Sequence, residues 1–485
     1  MGTYEVETDF YWLYAPDAHR ISSWKFPQDL LHGPGYPIAL ALVGIVTGDP
    51  FRSGKWISIA SAVLIGAFCF LLFERLFDYW SALCAQSIVL VSGQFPKYAI
   101  NATTDVFFLA LCLGTLAVMV AKGIAPRRRA KMMGILTALA YMSRYNGIFL
   151  VPVCLLAITL QDLPERRAME RLKLAGYYFA FLLAPLLPWL YMNYLHHGSP
   201  LYNKAYLVVA GDLYGYTSDQ DGLRILAEKF HSLSEVLRYD PQRLVGSYFD
   251  QLRKNLILSI TSGELVSPWV GWTAVWAFIL VLFDRRPKPL VFVLVAGAVY
   301  SLLMGFIHWE ARLHFFEMVV YAGLATYGAF RPLEILRQRG FLRHPACALG
   351  PMAVILVMGL TSYEYSKRAV ESFLASQPTE VLAACDYLKN GNAIGAKIIA
   401  RKPHLPYLCR QEWVFFPLVK SLEELHRWLQ TNRVDYIAFG PMELLYRPSL
   451  DALLSPRTAP PWLKPVWASV ERPYVLYKPE LGAPF

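Results

Sequence analysis

The stretch WISIASAVLIGAFCFLLF, residues 56–73, decides the fold class, because it carries no charged residue between Lys55 and Glu74. A helix of about 20 apolar residues crosses the hydrocarbon of a bilayer. Comparable runs recur along the chain, and we predict ten spans with these limits: 56–73, 80–95, 103–121, 131–143, 145–160, 174–195, 268–283, 289–307, 313–330 and 345–362. The sequence therefore predicts a mainly α, polytopic helical membrane protein with about ten transmembrane helices.

The composition and the charge distribution agree with this prediction. Of the 485 residues, 55% are hydrophobic and 17% are charged, whereas about 25% are charged in soluble domains. The net charge of +10 would suggest a nucleic-acid partner on a soluble protein. Here Lys and Arg are concentrated in one set of alternate loops, as is typical of cytoplasmic loops, and the short loops on the opposite side carry only Lys97, Arg144 and Arg312. We therefore predict no nucleic-acid partner and place both termini on the outer face.

Three regions are predicted on this topology. Residues 1–55 form an outer-face loop with an interfacial helix near 36–46, a run too short to span. Residues 56–362 form the membrane domain, whose outer loop 196–267 contains a turn-rich stretch at 211–222 and two amphipathic helices, near 223–237 and 244–252. Residues 363–485 form a small C-terminal α/β domain outside the membrane, with strands near 397–400, 413–416, 434–439 and 474–477 and a helix near 421–430.

Two features of the ends leave alternatives open. No signal peptide precedes Asp9, so either an upstream helix is absent from this chain or charge asymmetry alone carries the short N-terminal segment across. Cys385 and Cys409 lie on the side assigned to an oxidising compartment and are able to pair there, although two cysteines are a weak signal. The other five cysteines lie within predicted spans, where they are expected to serve packing.

Charged and polar residues from distant parts of the sequence emerge on the outer side of the predicted membrane domain. They are Asp9, His32, Lys97, Asp105, Arg144, His308, Glu310 and Arg312. Such groups are costly at the edge of the hydrocarbon unless they pair or face a wet cavity. Carboxylates can take a proton from a hydroxyl, and Arg or Lys can bind a phosphate. The combination indicates group transfer from a phosphate-linked donor.

Several short motifs then carry a resemblance to a known family. They are ETDFYWLYAPDAHRI at 7–21, HGPGYP at 32–37, YAINATTD at 98–105, SRYNG at 143–147 and PWLYMNYLHHGSPLYN at 188–203. Together they resemble the polytopic GT-C glycosyltransferases, particularly the bacterial glycosyltransferase family 39 proteins related to protein O-mannosyltransferases and to the aminoarabinose transferase that modifies lipid A. The similarity covers about the first 205 residues and is diffuse beyond.

The resemblance implies an inverting transfer, in which an acidic residue of the first outer loop activates the acceptor and polyprenyl phosphate leaves. Asp9 matches that acid, and Asp17 is the rival; the alternative for Asp9 is a helix cap or a solvated loop carboxylate. Asp105 matches a second acidic residue of the site and is likewise expected to be catalytic, and it would also stabilise a helix N-terminus. The expected donor-phosphate ligands are Arg144, Arg312, His32, Lys97 and His308. Arg312 is preferred for its bidentate geometry, with a structural ion pair to Glu310 as the alternative.

We accordingly expect a hexosyl- or pentosyltransferase that uses a polyprenyl-phosphate sugar and a glycan, lipid or protein acceptor, with no cofactor and no metal. One carboxylate beside Phe10 is a poor divalent-cation site. The expected location is the bacterial inner membrane, in contact with membrane lipid and with the site on the periplasmic or extracellular side. The alternatives are a polytopic transporter or flippase of lipid-linked sugars, and a non-catalytic protein that binds them.

Overall fold

A computed structural model describes residues 9–28, 30–160, 168–215, 220–283, 288–340, 345–391 and 395–480. The chain divides into two compact units. The larger runs from Asp17 to Ala375, and the smaller combines the segment up to Pro16 with the chain from Ser376 onward. The limits 1–55, 56–362 and 363–485 that the sequence suggested stay predictions.

The larger unit is helical. Its helices are α1 (Ala15–Ser22, which begins in the smaller unit), α2 (Gly35–Thr47), α3 (Pro50–Leu76), α4 (Tyr79–Leu90), α5 (Phe95–Ala99), α6 (Thr104–Val120), α7 (Pro126–Ser143), α8 (Leu150–Leu160), α9 (Ala168–His197), α10 (Ala205–Tyr214), α11 (Gln220–Lys229), α12 (Leu233–Tyr239), α13 (Pro241–Thr261), α14 (Pro268–Phe283), α15 (Lys288–Met304), α16 (Phe315–Gln338) and α17 (Leu349–Ala375). Short 3₁₀ turns at Tyr145–Phe149 and Ala311–His314 precede α8 and α16.

Each of the ten apolar runs overlaps one of these helices, so the prediction of a mainly helical chain is confirmed. Two of the described helices, α3 and α9, are by themselves long and apolar enough to cross a membrane, and α4, α6, α14 and others are apolar but shorter. The count of ten spans therefore stays a prediction. The ends of α3 and α6 follow local chemistry, because Asp49 and Thr103 each accept a backbone N–H in the first turn.

The core of this unit lies between α3, α4, α6, α7, α9, α14 and α16. Its buried side chains include Phe73, Leu109, Val153 and Phe316. Helices α7 and α9 approach closely at Gly134, where an added Cβ would lie 2.4 Å from the carbonyl oxygen of Tyr178. This packing fixes the middle of α7, the helix that ends at Ser143 and leads directly into Arg144.

The loop 196–267, which the sequence predicted on the outer side, contains more helix than expected. Its described residues form four helices, α10 to α13, where two were predicted. The apolar periodicity is continuous over 223–237, but the helix is interrupted there. The Ser232 hydroxyl accepts the N–H of Glu235 and starts a new helix, α12. The turn assignment was wrong at 211–214, which belong to α10; Leu213 and Tyr214 are buried there.

The smaller unit is the predicted α/β domain. Its sheet has the order β2-β1-β3-β5-β4, in which β1 pairs parallel with β2 and β3, and β5 pairs antiparallel with β3 and β4. The strands are β1 (Lys397–Ala400), β2 (Glu412–Phe415), β3 (Tyr436–Phe439), β4 (Leu463–Ala468) and β5 (Val475–Pro479), and the helices are α18 (Thr379–Asn390), α19 (His404–Cys409), α20 (Leu422–Thr431) and α21 (Pro441–Tyr446). Strand β4 and helices α18, α19 and α21 were not predicted.

Alternate residues of the strands point to opposite faces of this sheet, and each face has its own core. Ile398 contributes to the core that α18 and α19 cover, whereas Ile399 contributes to the core that α20 covers. A disulfide joins Cys385 of α18 to Cys409 of α19, with Cα atoms 5.4 Å apart. The pairing that the sequence left open is therefore present in the structure.

Candidate active site

Asp105 is the most enclosed of the candidate residues. It lies in the first turn of α6, where its backbone N–H donates to the Thr103 hydroxyl at 3.2 Å and that hydroxyl donates to the carboxylate at 2.6 Å. The guanidinium of Arg144 donates to the other carboxylate oxygen. The side chains of Asp105 and Arg144 are 2% and 15% exposed. Asp105 and Arg144 therefore form a buried ion pair that joins the N-terminal end of α6 to the C-terminal end of α7.

Three contacts of neighbouring residues help to place Arg144. The hydroxyls of Thr104 and Ser143 lie 3.1 Å apart and connect the same two helix ends. The HGPG turn packs against the last residues of α7, because a Cβ on Gly33 would lie 2.0 Å from the carbonyl oxygen of Met142. Beside it, the hydroxyl of Tyr145 donates to the carbonyl of His32 at 3.0 Å. The structure thus brings the His32 main chain close to Arg144.

Arg312 approaches the same carboxylate from the loop before α16. Its Nη1 lies 3.8 Å from Asp105 Oδ2. Its Nε and Nη2 contact the two oxygens of Glu310 at 2.7 and 3.0 Å. The structural ion pair that the sequence left as an alternative is therefore present. Burial lowers the pKa of Arg312 to about 9, so the guanidinium remains charged at neutral pH.

Lys97, on α5, differs from the two arginines. Its ammonium lies 5.0 Å from the ring centroid of Tyr98 and 4.9 Å from that of Phe373. Among the described residues no carboxylate lies within ion-pair distance of it. Burial lowers the pKa of Lys97, while the charges of Glu310 and Glu264 raise it. Lys97 is thus a half-buried cation near carboxylates but not bound to one.

His308 is held by a residue that the sequence did not single out. Its backbone N–H and its Nδ1 both contact the carboxylate of Asp212, each at 3.0 Å. Its Nε2 lies 4.0 Å from Glu310. The hydrogen bond that the His308 ring donates to Asp212 raises the pKa of His308, and burial opposes that effect. The sequence signal for Asp212 was a single carboxylate within the apolar run AYLVVAGDLY.

Asp9 belongs to the smaller unit, where it precedes a short π-helix, Phe10–Tyr14. It is half-buried and accepts a hydrogen bond from the indole N–H of Trp12 at 3.3 Å. The ring of Tyr11 contacts His404 and Tyr407 of α19. Burial lowers the pKa of Lys402, and the charge of Asp9 raises it. The segment that carries Asp9 is therefore packed on α19 and electrostatically coupled to a lysine of the same unit.

The rival carboxylate, Asp17, has a structural contact. It is 2% exposed, and it accepts the backbone N–H of Gln28 at 2.7 Å, which closes the turn after α1. Asp17 lies in the larger unit.

The larger unit thus gathers Asp105, Arg144, Arg312, Glu310, His308 and Asp212 into one set of alternating charges. Lys97 is electrostatically coupled to Glu310 of this set. Such a set can bind an anion through its cations while its carboxylates fix the geometry of those cations. Within the described parts of the chain, no three His, Cys, Asp or Glu side chains are grouped as metal ligands.

Comparisons with known proteins agree with this picture. Residues 31–191 match the family model described as dolichyl-phosphate-mannose-protein mannosyltransferase. No curated protein matches the sequence.

Three solved structures are similar in fold. ArnT from Cupriavidus metallidurans in the apo state is 12% identical, with a TM-score of 0.63 over 99% of this chain and 95% of that chain. ArnT bound to undecaprenyl phosphate is 14% identical, with a TM-score of 0.58 over 99% and 96%. The Archaeoglobus fulgidus oligosaccharyltransferase in complex with Zn and sulfate is 12% identical, with a TM-score of 0.61 over 93% and 67%. The chain therefore has the fold of the GT-C glycosyltransferases, which confirms the resemblance predicted from the sequence.

Proposed function

We propose that this protein transfers a sugar from a polyprenyl-phosphate donor to an acceptor at the outer face of a membrane, with inversion at the anomeric carbon. The observation that carries the proposal is the buried Arg144–Asp105–Arg312 cluster, whose Arg312 pairs with Glu310, a carboxylate electrostatically coupled to Lys97, in a chain with the fold of ArnT. The family model over 31–191 and the undecaprenyl phosphate bound to ArnT both support a lipid-phosphate donor.

Lys97 is the best ligand for the donor phosphate. Arg144 and Arg312 are already engaged by Asp105 and Glu310, whereas Lys97 contacts the rings of Tyr98 and Phe373 and forms no ion pair with a described carboxylate. Taking a cation out of water is costly unless an anion compensates it, and a lipid phosphate supplies that anion. Lys97 then binds the bridging phosphate, and the two arginines add to the positive potential. The contact strengthens as negative charge develops on the leaving oxygen.

Asp105 acts in this scheme as a positioning residue. A carboxylate that already accepts hydrogen bonds from a guanidinium and a hydroxyl is a poor proton acceptor, because protonation would break the pair. Asp105 instead fixes Arg144 and attracts Arg312 toward the same point. Its interaction with Thr103 keeps the carboxylate at the N-terminus of α6, where the helix dipole stabilises it.

Asp9 acts as the general base. It accepts the proton of the acceptor hydroxyl as that oxygen attacks the anomeric carbon, and the bond from this carbon to the phosphate oxygen breaks, so that polyprenyl phosphate leaves. The assignment rests on the family resemblance of 7–21. The contact of Asp17 with the Gln28 backbone supports Asp9 over Asp17, because the Asp17 carboxylate is engaged in local structure.

The outer location rests on the charge asymmetry of the loops and on the disulfide, and exposed aromatic side chains support the placement in a membrane. The Cys385–Cys409 disulfide fits an oxidising compartment. Large aromatic side chains are exposed near both ends of the proposed spans: Trp56 and Trp269 at the outer ends and Tyr79 and Trp80 at inner ends. Such rings favour the headgroup region of a bilayer. A bacterial inner membrane with a periplasmic site is the location we propose.

The test compares donors. Purified protein in detergent receives either polyprenyl-phosphate mannose or polyprenyl-phosphate aminoarabinose, or the matching nucleotide sugar, with lipid, glycan and peptide acceptors. We expect transfer from a lipid-linked donor alone. Transfer from a nucleotide sugar without any lipid carrier would contradict both the donor and the outer site. Movement of intact donor across liposomes without transfer would favour a flippase, and tight binding with neither would favour a non-catalytic protein.

A further inference from the structure

Asp212 occupies an unusual position for a carboxylate. It is the one charged residue of α10, lies beyond the residues that the family model matches, and its side chain is 5% exposed. Removing a carboxylate from water costs several kcal/mol unless a partner compensates it. The position therefore requires a specific interaction.

His308 supplies that interaction. Its backbone N–H and its Nδ1 each lie 3.0 Å from the Asp212 carboxylate. The charged groups that act on His308 are Asp212, Glu310 and Lys254; the first two favour the imidazolium form, and Lys254 opposes it. Asp212 therefore fixes both the main chain and the ring orientation of His308.

From His308 the interactions continue to the candidate site. Glu310 lies 4.0 Å from the His308 ring and binds Arg312 through both of its oxygens. Arg312 in turn lies 3.8 Å from Asp105. When His308 is protonated, each charge along this path faces one of opposite sign, so that a displacement at His308 is expected to change the position of the next pair.

We propose that Asp212 is a positioning residue, which fixes His308 and thereby the Glu310–Arg312 pair so that Arg312 stays beside Asp105. The expected effect of Asp212 on sugar transfer rests on the proposed function. The expected effect of Asp212 on the order of the loop around His308 does not. Through Asp212, helix α10 would help to organise the site, a role that the sequence did not predict for this segment.

The remaining contacts of the loop allow positioning to be separated from folding. The amide of Asn255, on α13, donates to the carbonyls of Met304 and Ile307 at 2.9 Å each. These bonds fix the main chain before His308 whether or not Asp212 is present. Loss of the Asp212 carboxylate should therefore release His308 and Glu310 while the loop stays attached.

The experiment compares Asp212→Asn, Asp212→Glu and a matched control, Asp250→Asn, whose carboxylate is 80% exposed and pairs with Arg253 on the surface. Hydrogen–deuterium exchange of residues 305–314 is followed from pH 5 to 9, together with kcat and KM for a polyprenyl-phosphate sugar. A raised pKa of His308 means that the stabilisation which the protonated ring gains from Asp212 is fully present below the unfolded value of about 6.5 and is lost as the pH rises through the folded value.

The readout is the protection factor, which is the intrinsic base-catalysed exchange rate at a given pH divided by the observed rate. In the wild type, the protection factors of residues 305–314 should be high at low pH and should fall through that range. Asp212→Asn should remove this pH dependence of the protection factors and lower kcat about tenfold at constant KM. Asp212→Glu should restore both, and Asp250→Asn should match the wild type. Unchanged exchange and kcat in Asp212→Asn would overturn the inference. Because exchange is measured without turnover, an inactive wild type would contradict the proposed function and leave the exchange result to decide the role of Asp212.

Discussion

Asp105 and Asp9, the two carboxylates predicted to serve catalysis, lie in different units and in opposite environments. Asp105 is buried, accepts hydrogen bonds from Arg144 and Thr103, and faces Arg312. Asp9 is half-buried and, among the described residues, accepts one hydrogen bond, from Trp12 at 3.3 Å. One carboxylate is fully engaged, and the other retains acceptor capacity.

This difference indicates two different roles, positioning of cations and proton transfer. A carboxylate in a buried ion pair fixes the geometry of its cations, and it cannot take a proton without losing them. A carboxylate with open lone pairs can accept a proton from a substrate hydroxyl. We therefore assign positioning to Asp105 and proton transfer to Asp9, although the sequence predicted a catalytic role for both.

The largest effect is expected at Asp9. Asp9→Asn should reduce sugar transfer by about 10² to 10⁴-fold, because the amide keeps the shape of the side chain but cannot accept the proton. Thermal unfolding should stay at the wild-type temperature, since the contact with Trp12 survives. Asp17→Asn is the comparison variant. Near wild-type turnover of Asp9→Asn together with an inactive Asp17→Asn would transfer the role to Asp17.

Arg144 should show the opposite behaviour, with an effect on folding as well as on activity. Arg144→Met leaves the Asp105 carboxylate buried without its main partner, and such a loss costs about 3–5 kcal/mol. We expect a lower unfolding temperature in detergent and a partial recovery in the double variant Asp105→Asn/Arg144→Met, in which no charge is left unpaired. An Arg144→Met protein as stable as the wild type would show that the ion pair contributes nothing to the fold.

The disulfide offers a test within the unit that contains Asp9. Cys409 ends α19, and Tyr11 packs on His404 and Tyr407 of that helix. Replacing Cys385 and Cys409 by Ser should destabilise this unit by about 3 kcal/mol. It should also raise protease sensitivity at 9–14, whereas Cys347→Ser, which removes an unpaired cysteine, should not. Equal protease sensitivity of the two variants would show that the disulfide does not stabilise the segment that carries Asp9.

A smaller effect is expected at Lys97. A hydrogen bond to a charged group contributes about 1.5–3 kcal/mol, so Lys97→Met should lower transfer by about 10- to 100-fold. The effect should fall on kcat, because the contact strengthens as charge develops on the leaving phosphate. Lys97→Arg keeps the charge and should retain part of the rate. Full activity of Lys97→Met would show that Lys97 does not bind the phosphate and would favour Arg312 as the ligand.

Much of the fold could be predicted because its signals are local. The apolar runs coincide with helices, and the strand expected at 397–400 is β1. The break between α11 and α12 could not be predicted from periodicity, because both halves continue the same apolar spacing. Strand β4 was missed since Pro465 and Lys464 interrupt its apolar pattern, although β5 supplies the partner that stabilises it.

The candidate site was predictable only to the level of a shared membrane face. The predicted topology put Asp105, Arg144 and Arg312 on one side of the membrane. It did not indicate which carboxylate binds which guanidinium. The preference for Arg312 over Lys97 rested on guanidinium geometry, and the bidentate contact with Glu310 now favours Lys97 for the phosphate. Asp212 was not predicted as a site residue, because its partner, His308, lies 96 residues away in sequence.

The most direct test of this division of labour measures donor binding and transfer separately in one experiment. Native mass spectrometry gives the affinity of each purified variant for polyprenyl phosphate, and a transfer assay with polyprenyl-phosphate sugar gives its turnover. We predict that Asp9→Asn binds polyprenyl phosphate as the wild type does while its transfer falls by about 10² to 10⁴-fold. Asp105→Asn, in which the two arginines are no longer fixed, should be weakened in both binding and transfer. An Asp105→Asn protein that binds normally but does not transfer, beside an active Asp9→Asn, would contradict the account and make Asp105 the base.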